Sequence, residues 1–89
     1  MRQIVPSSHF KRDLKRLHKK GYELALLTSI VDVLATGVHP SIQNRPHKLK
    51  GEYAGYWECH IEHDWLLIYG IEKEAVLLVR TGSHPDLFE

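Results

Sequence analysis

The chain has 89 residues, 43% hydrophobic and 26% charged with a net charge of +1, a size and balance that suit one small globular domain and leave no room for a second. No apolar run approaches the ~18 residues of a membrane span, and the start Met1-Arg2-Gln3-Ile4-Val5-Pro6 lacks the apolar core of a secretion signal, so a cytosolic protein is expected. Cys59 is the single cysteine, which excludes an intrachain disulfide framework and a thiolate-rich zinc cluster.

Arg2 to Val5 reads as a short strand, and Pro6-Ser7-Ser8 as a turn in which Ser7 or Ser8 caps a helix. This first helix is expected to run to about Lys20 with Phe10, Leu14 and Leu17 along one stripe. Its opposite surface is basic. Residues 1–20 carry Arg2, Lys11, Arg12, Lys15, Arg16, Lys19 and Lys20 against Asp13 alone, a local charge of +6 that the remainder offsets with −5. A solvated face explains any one of these cations, but their density also suits a phosphate-bearing partner.

Gly21 interrupts the pattern, and Tyr22 to about Thr36 should form a second helix with Leu24, Leu27, Ile30, Val31 and Leu34 at the 3.6-residue period. Leu26 and Val33 widen that stripe, so this helix should be the more buried of the two, and Gly37 should end it in a left-handed conformation. Val38 to Lys50, with Pro40, Ser41, Asn44 and Pro46 and no apolar period, reads as a long loop of the kind that is functional or mobile. Three strands follow at about Glu52 to Ile61, Trp65 to Ile71 and Ala75 to Thr81. Their connections, Glu62-His63-Asp64 and Glu72-Lys73-Glu74, are short enough to join antiparallel neighbours. The last two strands are apolar on both faces, so both faces should be covered, by this chain or by a partner. In the first, alternation puts Trp57, Cys59 and Ile61 on one face and Tyr56, Glu58 and His60 on the other, which makes Cys59 a core residue.

The C-terminal half gathers His47, His60, Asp64 and His84 at or beside expected strand ends, with His63 adjacent. An imidazole with an ordinary pKa of about 6.5 lets one copy give a proton and another take one near neutral pH. Each of these histidines alone also has a plain structural explanation, which is the reading kept for His9, His18, His39 and His63.

The series His47-x-Leu49-x-Gly51, Gly55-Tyr56, Cys59-His60-Ile61, Asp64-Trp65-x-Leu67-Ile68-Tyr69 and Arg80-Thr81-Gly82-Ser83-His84-x-x-Leu87-Phe88 resembles the YafQ branch of the RelE/ParE superfamily of bacterial toxins. The likeness is close over the C-terminal half and agrees in layout over the first. It implies a single domain over residues 1–89 of α+β class, with a mainly antiparallel four-stranded sheet and an N-terminal two-helix hairpin, the RelE-like microbial RNase fold. It also implies the toxin of a type II toxin–antitoxin system, an endoribonuclease that enters the ribosomal aminoacyl site and cuts mRNA without metal or cofactor. In that reaction the ribose 2′-hydroxyl attacks the adjacent phosphate and leaves a 2′,3′-cyclic phosphate and a free 5′-hydroxyl. By the same resemblance His47, His60, Asp64 and His84 are catalytic and Phe88 is a supporting aromatic. The implied partners are the ribosome with its mRNA and a cognate DinJ/RelB-like antitoxin, dimeric and DNA-binding. ParE relatives, which act on gyrase, lack this histidine set.

Such cleavage needs a base for the 2′-hydroxyl, an acid for the departing 5′-oxygen and positive charge for the transition state. His84 is expected as the acid, Asp64 or His60 as the base, and His47 as the residue that holds or shuttles a proton. Arg80 is expected as a phosphate clamp if a turn at Gly82 lets it face the site. Lys11, Arg12, Lys15, Arg16, Lys19 and Lys20 are expected to bind RNA or the ribosome. Trp65 should be core, and Trp57 either core or a platform for a stacked base. Two rival readings are a toxin that binds without chemistry, and a zinc-dependent hydrolase using His60, His63, Asp64 and His84.

Overall fold

The computed structural model describes residues 1–88. Its elements run β1 (Gln3–Pro6), α1 (Ser8–Lys19), α2 (Leu24–Ala35), β2 (His47–Lys48), β3 (Trp57–Glu62), β4 (Trp65–Ile71), β5 (Ala75–Gly82) and α3 (His84–Phe88), with 3₁₀ turns at Ile42–Asn44 and Gly51–Tyr53. The strands form one five-stranded sheet in the order β1-β5-β4-β3-β2. It is antiparallel from β2 to β5 and parallel where β1 joins β5.

The four-stranded expectation is corrected in three places. The extra strand, β2, is a two-residue edge inside the segment read as loop, too short to show alternation. Gly51 and Gly55, both at positive φ, turn the chain so that β3 begins at Trp57 rather than near Glu52. The stretch after Gly82 coils into a third helix of five residues.

Ser7 caps α1, its Oγ accepting from the N–H of Phe10 at 2.9 Å, and the helix buries Phe10, Asp13 and Leu17. The second helix buries Leu27, Leu34 and Ala35 and packs Leu24, Ile30 and Val31 half-buried against the core, slightly more than α1 covers, but the expected widening of its stripe fails: Leu26 and Val33 are each 39% exposed. Gly37 does adopt positive φ at its end.

The larger core lies between the helices and one sheet face, with Phe10, Leu17, Leu27, Leu34, Cys59, Trp65, Leu67, Tyr69, Val76 and Leu78. Burial pushes the Cys59 thiol up to about 12, which suits a packing residue. On the opposite face Leu66, Ile68 and Leu87 pack with Leu49, Tyr53, Tyr56 and Val79. The chain's own α3 and the segment around Tyr53 therefore cover the second apolar face of β4.

Past Leu78, β5 loses β1 as a neighbour, and α1 takes over its open edge. The Ser7 N–H donates to Leu78 O at 2.9 Å, the Ser7 Oγ to Val79 O at 2.8 Å, and the Thr81 N–H to the Asp13 carboxylate at 3.1 Å. At the same point the register steps from Ile68↔Arg80 to Tyr69↔Leu78, a bulge that leaves Val79 without a partner. The parity change brings Arg80 to the face of Ile68, so the bulge, and not the turn at Gly82, decides where Arg80 goes. Among the described residues, no helix is long and apolar enough to cross a membrane.

Candidate active site

His47 and Glu58 are register partners across β2 and β3, and cross-strand partners share a face. His47 Nε2 lies 3.1 Å from Glu58 Oε1. His60, two residues along β3 from Glu58, projects to the same side and sets its Nε2 3.9 Å from the same oxygen. Glu58 is only 4% exposed, and a polar group that is buried needs hydrogen-bonding neighbours of this kind. Alternation places Glu58 beside His60 without giving it a role. The missing information is β2, which puts His47 opposite. Burial lowers the His60 pKa, and the Arg45 charge beside it acts in the same direction.

The second acid–base couple forms where the β3–β4 turn meets the start of α3. Asp64 Oδ1 accepts from the backbone N–H of His84 at 3.1 Å and lies 3.1 Å from its Nδ1. The backbone bond, followed by the ring bond, holds the Asp64 carboxyl below the usual range. An ionised carboxylate only accepts, so Nδ1 carries the hydrogen and Nε2 is left for a substrate. Reciprocal bonds fix α3: the Ser83 N–H donates to Asp86 at 3.1 Å, and the Asp86 N–H to Ser83 Oγ at 3.3 Å. Gly82 has φ 155°, a conformation that side chains rarely adopt, and a Cβ there would stand 2.9 Å from the Asp86 carboxylate and 3.0 Å from Arg16, so a larger residue would press on both.

These couples adjoin. The rings of His60 and His84 are 6.3 Å apart, Phe88 lies 5.9 Å from His84, and Tyr53 meets Phe88 edge-on at 6.0 Å. Beside them is a cleft of about 350 Å³ lined by Lys50, Glu52, Tyr53, Arg80, Asp86, Leu87 and Phe88. The four residues expected to be catalytic are thus brought together, with Arg80 and Phe88 at one side.

Arg80 is also committed inward. Its Nε donates to Asp13 at 2.8 Å and its Nη2 at 3.1 Å, while Arg16 donates to the same carboxylate at 3.0 Å. Burial alone would push the Asp13 carboxyl up, but the bonds from Arg80, Thr81 and Arg16 outweigh it and hold it below its ordinary value. Arg16 continues to Asp86 at 3.4 Å, so it links elements and does not stand with the outward cations. Lys11, Arg12, Lys15, Lys19 and Lys20 do face solvent.

The zinc set of the rival reading does not form: the cluster of described residues whose ligand atoms converge, all within 4.8 Å, is His47, Glu58 and His60. Two imidazoles and a carboxylate of this kind can hold a divalent cation. His39 proves structural, its Nδ1 3.1 Å from the Tyr69 hydroxyl and its ring 4.3 Å from that of Trp57. Lys48 lies over the Trp57 ring at 5.7 Å. Trp57 is therefore a flanking member of the helix-side core.

The family of YafQ toxins, bacterial toxins of type II toxin–antitoxin systems, matches residues 2–89. The mRNA interferase toxin YafQ of Escherichia coli strain K12 is 31% identical over 88 residues, 98% of this chain and 96% of that protein. A metal-bound toxin from Helicobacter pylori is 42% identical and superposes with a TM-score of 0.91 over 99% of this chain and 100% of its own. The toxin of the E. coli DinJ–YafQ complex is 29% identical, with a TM-score of 0.91 over the whole of both chains.

Proposed function

We propose, from the premise that this chain belongs to the YafQ family of type II toxins, a route by which it cuts RNA. It is an mRNA-cleaving endoribonuclease like its curated relatives, and its neutralising partner is an antitoxin of the DinJ kind. It works in the cytoplasm, on mRNA held in the ribosomal aminoacyl site, and needs no metal. The antitoxin is a dimeric DNA-binding protein whose C-terminal segment covers the basic surface of the toxin.

The observation that carries the reading is the adjacency of two acid–base couples, Asp64–His84 and His47–Glu58, with His60 between them and its ring 6.3 Å from that of His84. A base on the Glu58 side takes the 2′-hydroxyl proton as O2′ bonds to phosphorus. The P–O5′ bond breaks, and His84, protonated at Nε2, gives O5′ its proton. The products are a 2′,3′-cyclic phosphate and a 5′-hydroxyl. Asp64, already engaged with the backbone N–H and Nδ1–H of His84, orients the acid and is not the base. Arg80 and Lys50 lend positive charge, and Phe88 with Tyr53 offers a surface for a base. The solvent-facing cations of α1 grip ribosomal or messenger phosphates.

An acid and a base contribute roughly 10²–10⁴-fold each, whereas holding the 2′-hydroxyl in line is worth ~7–11 kcal/mol. A ribosome that supplies this alignment makes an open, small site sufficient, and free RNA a poor substrate. The test is cleavage of mRNA by purified protein with and without ribosomes, in EDTA, comparing wild type with His84→Ala and mapping product ends. Ribosome-dependent cuts with cyclic phosphate ends, lost in the variant, are expected. Uncut mRNA with ribosomes present would overturn the reading in favour of a binding-only toxin.

A further inference from the structure

The segment between α2 and β2 ends in a grip on one residue of the site. Asn44 Nδ2 donates to the His60 carbonyl at 2.8 Å, and the next residue, Arg45, places Nη2 3.1 Å from His60 Nδ1. Backbone and ring of the same histidine are thus held by consecutive side chains. The hold is built locally. Ser41 Oγ donates to Asn44 Oδ1 at 3.1 Å, the Arg45 N–H donates to Ile42 O at 3.0 Å, and Arg45 sits in the left-handed region at φ 49°, ψ 56°. It is the described non-glycine residue with positive φ. A bulky side chain keeps that conformation only where its surroundings impose it, and such positions cluster at functional sites.

The chemistry of the contact has one solution. A guanidinium has five donors and no acceptor and stays protonated at every working pH. Nδ1 of His60 must therefore present its lone pair, and the ring hydrogen must be on Nε2. The groups beside that side of the ring are Glu58, whose oxygen 3.9 Å from Nε2 is beyond hydrogen-bond reach, His47, whose ligand atom converges with those of Glu58 and His60 within 4.8 Å, and His84, one ring away. The Nε2–H is thereby left for an incoming oxygen.

We propose that Arg45 is a positioning residue which locks His60 as its Nε2–H tautomer, making His60 a hydrogen-bond donor to the scissile phosphate and not the base. The base is then the Glu58–His47 couple. This rests on the nuclease reading above for its consequence, but the tautomer itself is a property of the free protein.

Two measurements separate these levels. In ¹⁵N-histidine-labelled full-length protein, the His60 nitrogens should show an unprotonated Nδ1 and a protonated Nε2, and Arg45→Ala should redistribute the hydrogen between them. On programmed ribosomes, Arg45→Ala should lower kcat by about 10–100-fold, the usual range for a partner that orients a functional group, with KM unchanged. Arg45→Lys, which keeps a charged group that can only donate, should recover part of the loss, and Arg45→Ala combined with His60→Ala should be no worse than His60→Ala alone. A wild-type His60 protonated at Nδ1 would overturn the proposal. So would a raised KM with kcat intact, the signature of a plain phosphate contact, or losses that add in the double variant. Failure of wild type to cleave on ribosomes would overturn the nuclease reading instead, while the tautomer measurement would still decide the role of Arg45.

Discussion

Asp13, on the basic helix, holds Arg80, on the last strand, by a two-point bond with Nε at 2.8 Å and Nη2 at 3.1 Å. The lone acid among the N-terminal cations is 1% exposed and also takes the Thr81 N–H and Arg16. It therefore ties the helix to the bulged part of β5 and fixes the direction of Arg80.

Asp13→Ala should be strongly destabilising, since it takes the carboxylate from the Arg80 guanidinium and from the buried Thr81 N–H and leaves Arg16 only its longer contact with Asp86. Breaking such a buried pair costs about 3–5 kcal/mol, and at ~4 °C per kcal/mol the melting temperature should fall by at least about 12 °C. Calorimetry against wild type checks this. The pH dependence has a definite sign. The folded carboxyl lies below its unfolded value of about 3.9, so its contribution is fully present above that value and is lost as pH falls through the folded one. Melting curves from pH 7 down to pH 3 should show this slope in wild type and a shallower one in Asp13→Asn.

Arg16 should behave unlike its neighbours. Lys11, Lys15 and Lys19 are exposed, and replacing any of them with Ala should weaken ribosome binding. The slope of log affinity against log salt should fall by about 0.7–0.9 for each phosphate that is no longer neutralised, with the melting temperature unchanged. Arg16→Ala, which breaks the bonds to Asp13 and Asp86, should instead lower the melting temperature. Binding titrations over a salt series, paired with melting curves, distinguish the two classes.

Asp64→Ala should lower kcat by up to about 10⁴-fold, the loss that follows when the carboxylate orienting a catalytic imidazole is replaced. Stability should be unchanged, because the Asp64–His84 pair stands in solvent. Single-turnover cleavage and a melting curve of the same preparation test both halves; a kcat equal to wild type would remove Asp64 from the mechanism.

Glu58→Gln should cost roughly 10²–10⁴-fold in kcat if the Glu58–His47 couple supplies the base. The same couple, with His60, is the convergent ligand set. Added Zn²⁺ or Cu²⁺ should then inhibit cleavage by occupying it, and EDTA should restore full activity. Titrating the metal against cleavage in wild type, and measuring its binding to wild type and His47→Ala by calorimetry, checks this, with the variant binding the metal more weakly.

Much of this was legible in the chain. Local pattern suffices for Ser7 as a cap, for two helices split at Gly21, for Cys59 and Trp65 as core, and for His60 and Glu58 on one face, because each depends on near neighbours and a fixed backbone period. The order and spacing of His47, His60, Asp64 and His84 was enough to recognise the family. What the local pattern does not contain is pairing across the sheet. The two-residue β2 exists only because β3 is there to bond it, and with it comes the His47–Glu58 contact. Arg80 is aimed by a bulge against β4 and by a carboxylate 67 residues earlier. Arg45 reaches His60 only after the loop closes on β3. The sequence by itself determined which residues carry the chemistry and which segments could hold them. Tertiary structure alone decided who pairs with whom, since a proton's place on an imidazole depends on the partner that the fold brings to it.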